Sequence, residues 1–362
     1  SFFMFLSGFP VPDFECLDNF DDIDQFENAF ENGNPPVLSH FPIKNDNQSS
    51  TLTENEQIAL NEKGLIVLDQ STPIRSTSNS TVYAAKSPKD GQMFALKVTS
   101  HRKRAQTEYQ KRNLISNQSP YLLKSISLYE SPATPKVILQ MGLCENGDIK
   151  SMMASMVFWP EDIIWKLIHD VAHALVELHK ENWMHLDVSP GNILVSNDCF
   201  KLSDFGTMTR VGDFEEGMEG AGPYVSPEAL SYPLGPYTVN QQTDIFSFGV
   251  VLLEVATGKQ APRGGTPGYS LLRRDELKLK LKQSSLSSSR HDDNLQPPNN
   301  RRVNLMMSPV NKKSNKENCC QEYECWCSPV LIELINSMLS SDPSQRPSSY
   351  DLCQILQVAR FD

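Results

Sequence analysis

Three side chains stand at spacings that suit phosphoryl transfer. Asp187 lies in His185-Leu186-Asp187-Val188-Ser189-Pro190-Gly191-Asn192, Asn192 follows it by five residues, and Asp204 opens Asp204-Phe205-Gly206. Moving a phosphoryl group requires metal ions on the phosphates, a carboxylate beside the attacking hydroxyl, and a rigid frame. Asp187 fits the carboxylate. Asn192 can reach a metal from the same loop, and Asp204 can approach that metal from its other side. Each short match alone is weak; their order, with a hairpin between them, argues against coincidence.

Other elements must hold these groups. Pro160-Glu161-Asp162 predicts a helix with negative charge in its first turn, and Ile163, Ile164, Leu167, Ile168, Val171, Leu175, Val176 and Leu178 form its apolar stripe. The loop bearing Asp187 follows that helix. Ile193-Leu194-Val195 and Phe200-Lys201-Leu202, joined by a turn at Ser196-Asn197-Asp198, predict a hairpin that carries Asp204 back toward Asn192. Upstream, residues 82–86 and 93–98 read as a second hairpin around Ser87-Pro88-Lys89-Asp90-Gly91. A helix near 105–115 and strands near 123–129 and 137–140 complete a small lobe. Downstream lie an apolar helix over 243–257 stopped by Gly258, packed chain at 329–339 and a last helix near 351–359. The expected fold class is α+β and bilobal. A β-rich N-lobe covers about 64–145, and a larger helical C-lobe covers about 146–358.

With 362 residues, 39% of them hydrophobic, the chain can bury a sizeable core. A net charge of −11 disfavours a nucleic-acid partner. Eight cysteines without a regular framework suit a reducing intracellular compartment, nucleus or cytoplasm. No run approaches the ~18 apolar residues of a membrane span. Residues 1–63 read as an acidic, unstructured tail, in which Phe14, Leu17, Phe20, Ile23, Phe26 and Phe30 recur at helical steps. Residues 283–318 read as a low-complexity insert. Within it, Lys316-Glu317-Asn318 matches a short signal for the degradation machinery, and Ser308-Pro309 and the nearby Ser328-Pro329 match sites for proline-directed modification. Motifs this short also arise by chance. Cys319, Cys320, Cys325 and Cys327 do not have a standard zinc spacing; with Trp326 and the apolar segment beside them, burial is expected.

Across residues of about 64–358 these motifs resemble protein kinases, and among them the Wee family of inhibitory kinases, closest to its membrane-associated branch. The resemblance rests on His-Leu-Asp-Val, with Leu186 where most kinases have Arg, and on Asp244-Ile245-Phe246-Ser247-Phe248-Gly249, with Phe246 for Trp. Leu253-Glu254-Val255-Ala256 leading to Pro262-Arg263-Gly264-Gly265 is its third point. It implies ATP and Mg2+ as cofactors, Asp187 as base, Asn192 and Asp204 on the metal, and Lys97 of Phe94-Ala95-Leu96-Lys97 on the α- and β-phosphates. Glu108 is the implied ion-pair partner of Lys97, although the eleven residues between them are a short interval for kinases. Val82, Leu143 and Cys144 would border the nucleotide, with Gly142 in the hinge where an acidic residue is common. Asp244 would hold the backbone of the Asp187 loop, and Arg346 would pair with Glu228 of Ser226-Pro227-Glu228. The implied substrate is a cyclin-dependent kinase, phosphorylated in its own phosphate-binding loop, which restrains the onset of mitosis or meiosis. The membrane segment of that branch lies beyond its kinase domain and is not expected in this chain.

Three departures have physical consequences. The loop that covers the phosphates normally has glycines that let the backbone approach; Arg75, Thr77 and Ser80 occupy those places here. Ser189 stands where a lysine commonly neutralises the transferred phosphate, and a lost donor of that kind costs about 2.7–4 kcal/mol. Leu186 cannot grip a phosphate on the activation segment, so control through Thr207, Thr209 or Tyr224 is not expected. The first two leave a rival reading, in which the fold is a catalytically impaired binding module for cell-cycle proteins.

Overall fold

The computed structural model describes residues 52–282 and 323–358, apart from 63, 69–72, 78–79, 116–118, 131–133, 157–158, 197–198, 219 and 221. The helical steps between Phe14 and Phe30, the Lys316-Glu317-Asn318 signal, Ser308-Pro309, Cys319 and Cys320 lie outside the described residues.

The first half of the chain builds a six-stranded antiparallel sheet from β1 (Ile66–Val67), β2 (Arg75–Ser76), β3 (Ser80–Lys86), β4 (Met93–Thr99), β5 (Ser125–Glu130) and β6 (Val137–Gly142). Its order is β1-β3-β4-β6-β5, with β2 also paired to β3. Residues alternate between the two faces of a strand, and here the alternation separates two jobs. Tyr83, Phe94, Leu96 and Val98 are buried on one face together with Leu52 and Leu60. Val82 and Lys97 pair in register across β3 and β4, and Val82 and Ala95 pack into the core that runs on into the second lobe.

Leu60 belongs to a helix, α1 (Glu54–Glu62), opened by a reciprocal cap. The Thr53 N–H donates to Glu56 Oε2 at 2.9 Å, and the Glu56 N–H donates to Thr53 Oγ1 at 3.4 Å. Lys136 Nζ sits 3.0 Å from Glu56 Oε1. The packed unit therefore starts upstream of residue 64, and the last part of the expected tail is a helix covering the sheet. Between β4 and β5, α2 (Arg102–Asn113) buries Ala105, Glu108 and Arg112, a stripe at steps of three and four.

The second lobe is helical. It comprises α3 (Ile149–Ser155), α4 (Glu161–His179), α5 (Pro227–Ser231), α6 (Gln242–Thr257), α7 (Pro267–Leu272), α8 (Pro329–Met338) and α9 (Ser349–Val358). The stripe expected on α4 faces the core through Ile164, Leu167, Ile168, Val171, Leu175 and Leu178. α6 is buried from Thr243 to Val255, which makes it the central element, and it stops at Gly258 with φ of 64°. Between α4 and α5 run β7 (Trp183–Met184), the hairpin β8 (Ile193–Val195) and β9 (Phe200–Leu202), and β10 (Thr209–Arg210), which pairs with β7. A short parallel pair, β11 (Lys280–Leu281) with β12 (Glu324–Cys325), joins the two ends of the chain that flank residues 283–322. Cys325 and Cys327 are buried in the main core. Trp326, expected beside them, is 55% exposed instead, with Lys282 Nζ 5.1 Å from its ring centre. The polar partner lets the indole face water. Ser328 caps α8 and donates through Oγ to Glu161 Oε1 at 2.6 Å. No helix of the described residues is long and apolar enough to cross a membrane.

Candidate active site

Two hairpins and two helices bring the expected residues to one cleft. β4 presents Lys97 and α2 presents Glu108, whose Oε2 accepts from Lys97 Nζ at 2.8 Å. The β8–β9 hairpin returns Asp204 to the same place, with Oδ2 3.7 Å from Lys97 Nζ. Across from it, Asn192 Nδ2 donates to Asp187 Oδ2 at 2.8 Å and to the Asp187 carbonyl at 2.9 Å. The amide oxygen of Asn192 is thereby turned away from Asp187.

α6 fixes the loop that carries Asp187. Asp244, fully buried, accepts from the His185 and Leu186 N–H groups, each at 2.8 Å, and its Oδ2 lies 2.9 Å from His179 Nε2. Burial alone would raise the Asp244 carboxyl. His179, His185 and the amide bond from His185 outweigh it and hold Asp244 below the usual carboxylate range. Asp204 is also lowered: burial acts upward, and Lys97, Arg104 and the Gly206 amide more than offset it. For Lys97, the desolvation that would lower its pKa is outweighed by Glu108 and Asp204, so the ammonium is held charged. Leu186 and Asp204 adopt left-handed φ of 64° and 61°. Such conformations cost about 1–3 kcal/mol each and persist only where surrounding contacts impose them.

The segment after Asp204 is held by packing. Leu186 is 3% exposed and shares an apolar cluster with Met184, Phe214, Val225, Ala229 and Val239. Thr207 Oγ1 donates to the His185 carbonyl at 3.0 Å, Thr209 Oγ1 to the Thr207 carbonyl at 3.0 Å, and the Tyr224 hydroxyl to Glu254 Oε2 at 2.8 Å. A Cβ on Gly220 would come within 1.8 Å of the Leu186 carbonyl oxygen, so only glycine lets the segment cross there. Below it, Arg346 donates to both oxygens of Glu228 at 2.7 and 2.8 Å, with both side chains fully buried.

The expected nucleotide contacts divide. Val82 and Leu143 pack against the main core, and Cys144 is buried in it. Thr77 and Ser80 bond to each other, the Thr77 N–H to the Ser80 carbonyl at 2.9 Å and the Ser80 N–H to Thr77 Oγ1 at 3.1 Å. They close the β2–β3 turn. Arg75 Nη1 spans the lobes, 3.2 Å from Asp148 Oδ2 and 3.0 Å from the Gly191 carbonyl it donates to. Sequence reasoning missed Asp148, whose signal is its place as N-cap of α3, accepting from the Ser151 N–H at 2.8 Å. It also missed Arg104, 3.8 Å from Asp204, and Arg112, one helical turn beyond Glu108.

The family profile of the protein kinase domain matches residues 72–358, most of the chain. The chain belongs to the protein kinase family. A probable protein kinase of Dictyostelium discoideum is 28% identical over 275 residues, 71% of this chain and 72% of that one. The membrane-associated tyrosine- and threonine-specific cdc2-inhibitory kinase wee-1.3 of Caenorhabditis elegans is 30% identical over 198 residues, 52% of this chain. The mitosis inhibitor protein kinase mik1 of Schizosaccharomyces pombe is 25% identical over 239 residues, 64% of this chain. The chain spans only 28% of the nematode relative and 35% of the yeast one.

Proposed function

We propose that this kinase transfers the γ-phosphoryl group of ATP–magnesium to a hydroxyl of a cyclin-dependent kinase and so restrains the onset of mitosis or meiosis. The observation that carries the transfer reading is that the Lys97–Glu108 pair stands beside Asp204, while the Asp187–Asn192 pair is joined to the residue before Asp204 by the Ser203 N–H, which donates to the Asn192 carbonyl at 2.9 Å. An ionised carboxylate and an amide oxygen form a hard-oxygen donor set, which suits Mg2+. Asp204 and Asn192 would hold the ion, which supplies charge neutralisation on the phosphates. Lys97, kept cationic by its two acids, would grip the α- and β-phosphates. Asp187 would accept the proton of the attacking hydroxyl, oriented by the amide of Asn192. Val82, Leu143 and Cys144 would border the nucleotide.

The substrate class rests on the Leu186 loop and the Phe246 helix, on the wee-1.3 and mik1 similarities, and on a segment held without a phosphate-binding arginine. The test is mass-spectrometric mapping of a cyclin-dependent kinase–cyclin complex after incubation with the chain and ATP–magnesium. Phosphate on a Tyr or Thr of its phosphate-binding loop is the expected result. Transfer to a generic protein substrate with that loop untouched would overturn the substrate assignment.

A second reading, a binding module without transfer, is favoured by three observations. Thr77 and Ser80 spend their polar groups on the turn, Arg75 is engaged with Asp148, and Ser189 supplies no charge. Absence of transfer alongside intact binding to the complex would select it.

A further inference from the structure

Arg75, Val82 and Lys97 share one rung of the sheet. Arg75 of β2 pairs with Val82 of β3, and Val82 pairs with Lys97 of β4. Side chains paired across antiparallel strands project from the same face, so Arg75 faces the cleft as Lys97 does. Its guanidinium reaches the second lobe at two points. Nη1 lies 3.2 Å from Asp148 Oδ2 and donates to the Gly191 carbonyl at 3.0 Å. Gly191 immediately precedes Asn192, and Asp148 follows Cys144 by four residues.

Both acceptors are fitted to this contact. A Cβ on Gly191 would come within 3.3 Å of Arg75 Nη2, so glycine leaves the guanidinium its seat. Asp148 divides its carboxylate between two tasks. Oδ1 caps α3 by accepting from the Ser151 N–H and hydroxyl, both at 2.8 Å, while Oδ2 meets Arg75. The Arg75 side chain is 44% exposed and that of Asp148 11%. A bridge between the lobes with one partner this exposed stands at the edge of the cleft, not in its floor. Glycine in the place of Arg75, the usual residue of a phosphate-covering loop, could not span the lobes.

We propose that the bridge from Arg75 to Asp148 and Gly191 is a latch that sets the rate of nucleotide exchange. It opens to let ATP in or ADP out, and it closes again over either; this rests on the ATP–magnesium reading of the cleft. A latch that must open for passage in both directions slows entry and exit by the same factor, the fraction of time it stands open. The dissociation constant is then unchanged. A residue that grips the nucleotide itself acts differently, slowing exit alone and tightening binding.

The experiment follows binding and release of a fluorescent ADP analogue with excess Mg2+ by stopped flow, on the full chain as wild type, Arg75→Gln and Asp148→Asn. Arg75→Gln, which loses the charge, is expected to raise both rate constants by about fivefold or more, with the dissociation constant kept within about twofold. Asp148→Asn retains a good cap for α3 and is expected to raise both rates as well. An ion pair this exposed is screened by salt, so the wild-type rates should approach those of Arg75→Gln between about 0.05 and about 0.5 M salt. A change confined to release would make Arg75 a direct nucleotide contact, and one confined to entry would mean a barrier that does not re-form. Either result overturns the latch, as do rates unchanged in either variant. Failure of the wild type to bind the analogue would overturn the ATP–magnesium reading itself, and the latch with it.

Discussion

Ser189 is half-buried two residues beyond Asp187. A hydroxyl there offers one hydrogen bond and no charge, while electrostatic stabilisation is usually the largest part of catalysis. Ser189→Lys is therefore expected to raise kcat by about tenfold or more, the scale of one restored donor. A steady-state comparison at saturating ATP–magnesium checks it; an unchanged or lower kcat would mean that another cation already serves the transferred phosphate. Arg104 is one alternative, 3.8 Å from Asp204 and 56% exposed. Arg75 is engaged elsewhere, on Asp148 and the Gly191 carbonyl.

At the scale of elements, the segment between Asp204 and Glu228 is fixed by the Leu186 cluster, by internally bonded hydroxyls and by Gly220. Phosphatase treatment should leave activity within about twofold, since no arginine precedes Asp187 to read a phosphate. A loss beyond about tenfold would show that modification orders the segment after all. The Glu228–Arg346 pair anchors the far end of that segment to the lobe. Arg346→Met strands a buried carboxylate and should cost about 3–5 kcal/mol in urea unfolding. Elements whose buried face is apolar were legible in the sequence: the stripe of α4, the all-round burial of α6 and the hairpins β3–β4 and β8–β9. α2 was legible as a helix but its role was not, because its buried stripe is Ala105, Glu108 and Arg112, and a hydrophobic period cannot reveal a polar face. α1 was hidden by its acidic composition, although Thr53-x-x-Glu56 is a capping signature. The bond from Arg75 to Asp148 crosses 73 positions of sequence, and no local pattern announces it.

For the whole molecule, α6 is the frame from which the site is hung. Asp244 joins that helix to both His179 of α4 and the loop of Asp187. Its folded-state pKa lies below the unfolded value of about 3.9. The stability it contributes is therefore fully present above that value and is lost as pH falls through the lower folded one. Melting temperature should be insensitive to this group above about pH 5 and should fall below about pH 4. In Asp244→Asn that part of the acid slope should vanish from a protein already less stable at neutral pH. An identical slope in the two proteins would assign the acid transition to other carboxylates.

The reading of the molecule as a working kinase rests on Asp187 and Asp204 acting in one cleft. The most direct test is the rate of γ-phosphoryl transfer from ATP–magnesium to a cyclin-dependent kinase–cyclin complex, in the wild type beside Asp187→Asn and Asp204→Asn. Measurable transfer in the wild type, reduced by about 100-fold or more in each variant, is the predicted result. No transfer in the wild type, or equal transfer in all three, would contradict it.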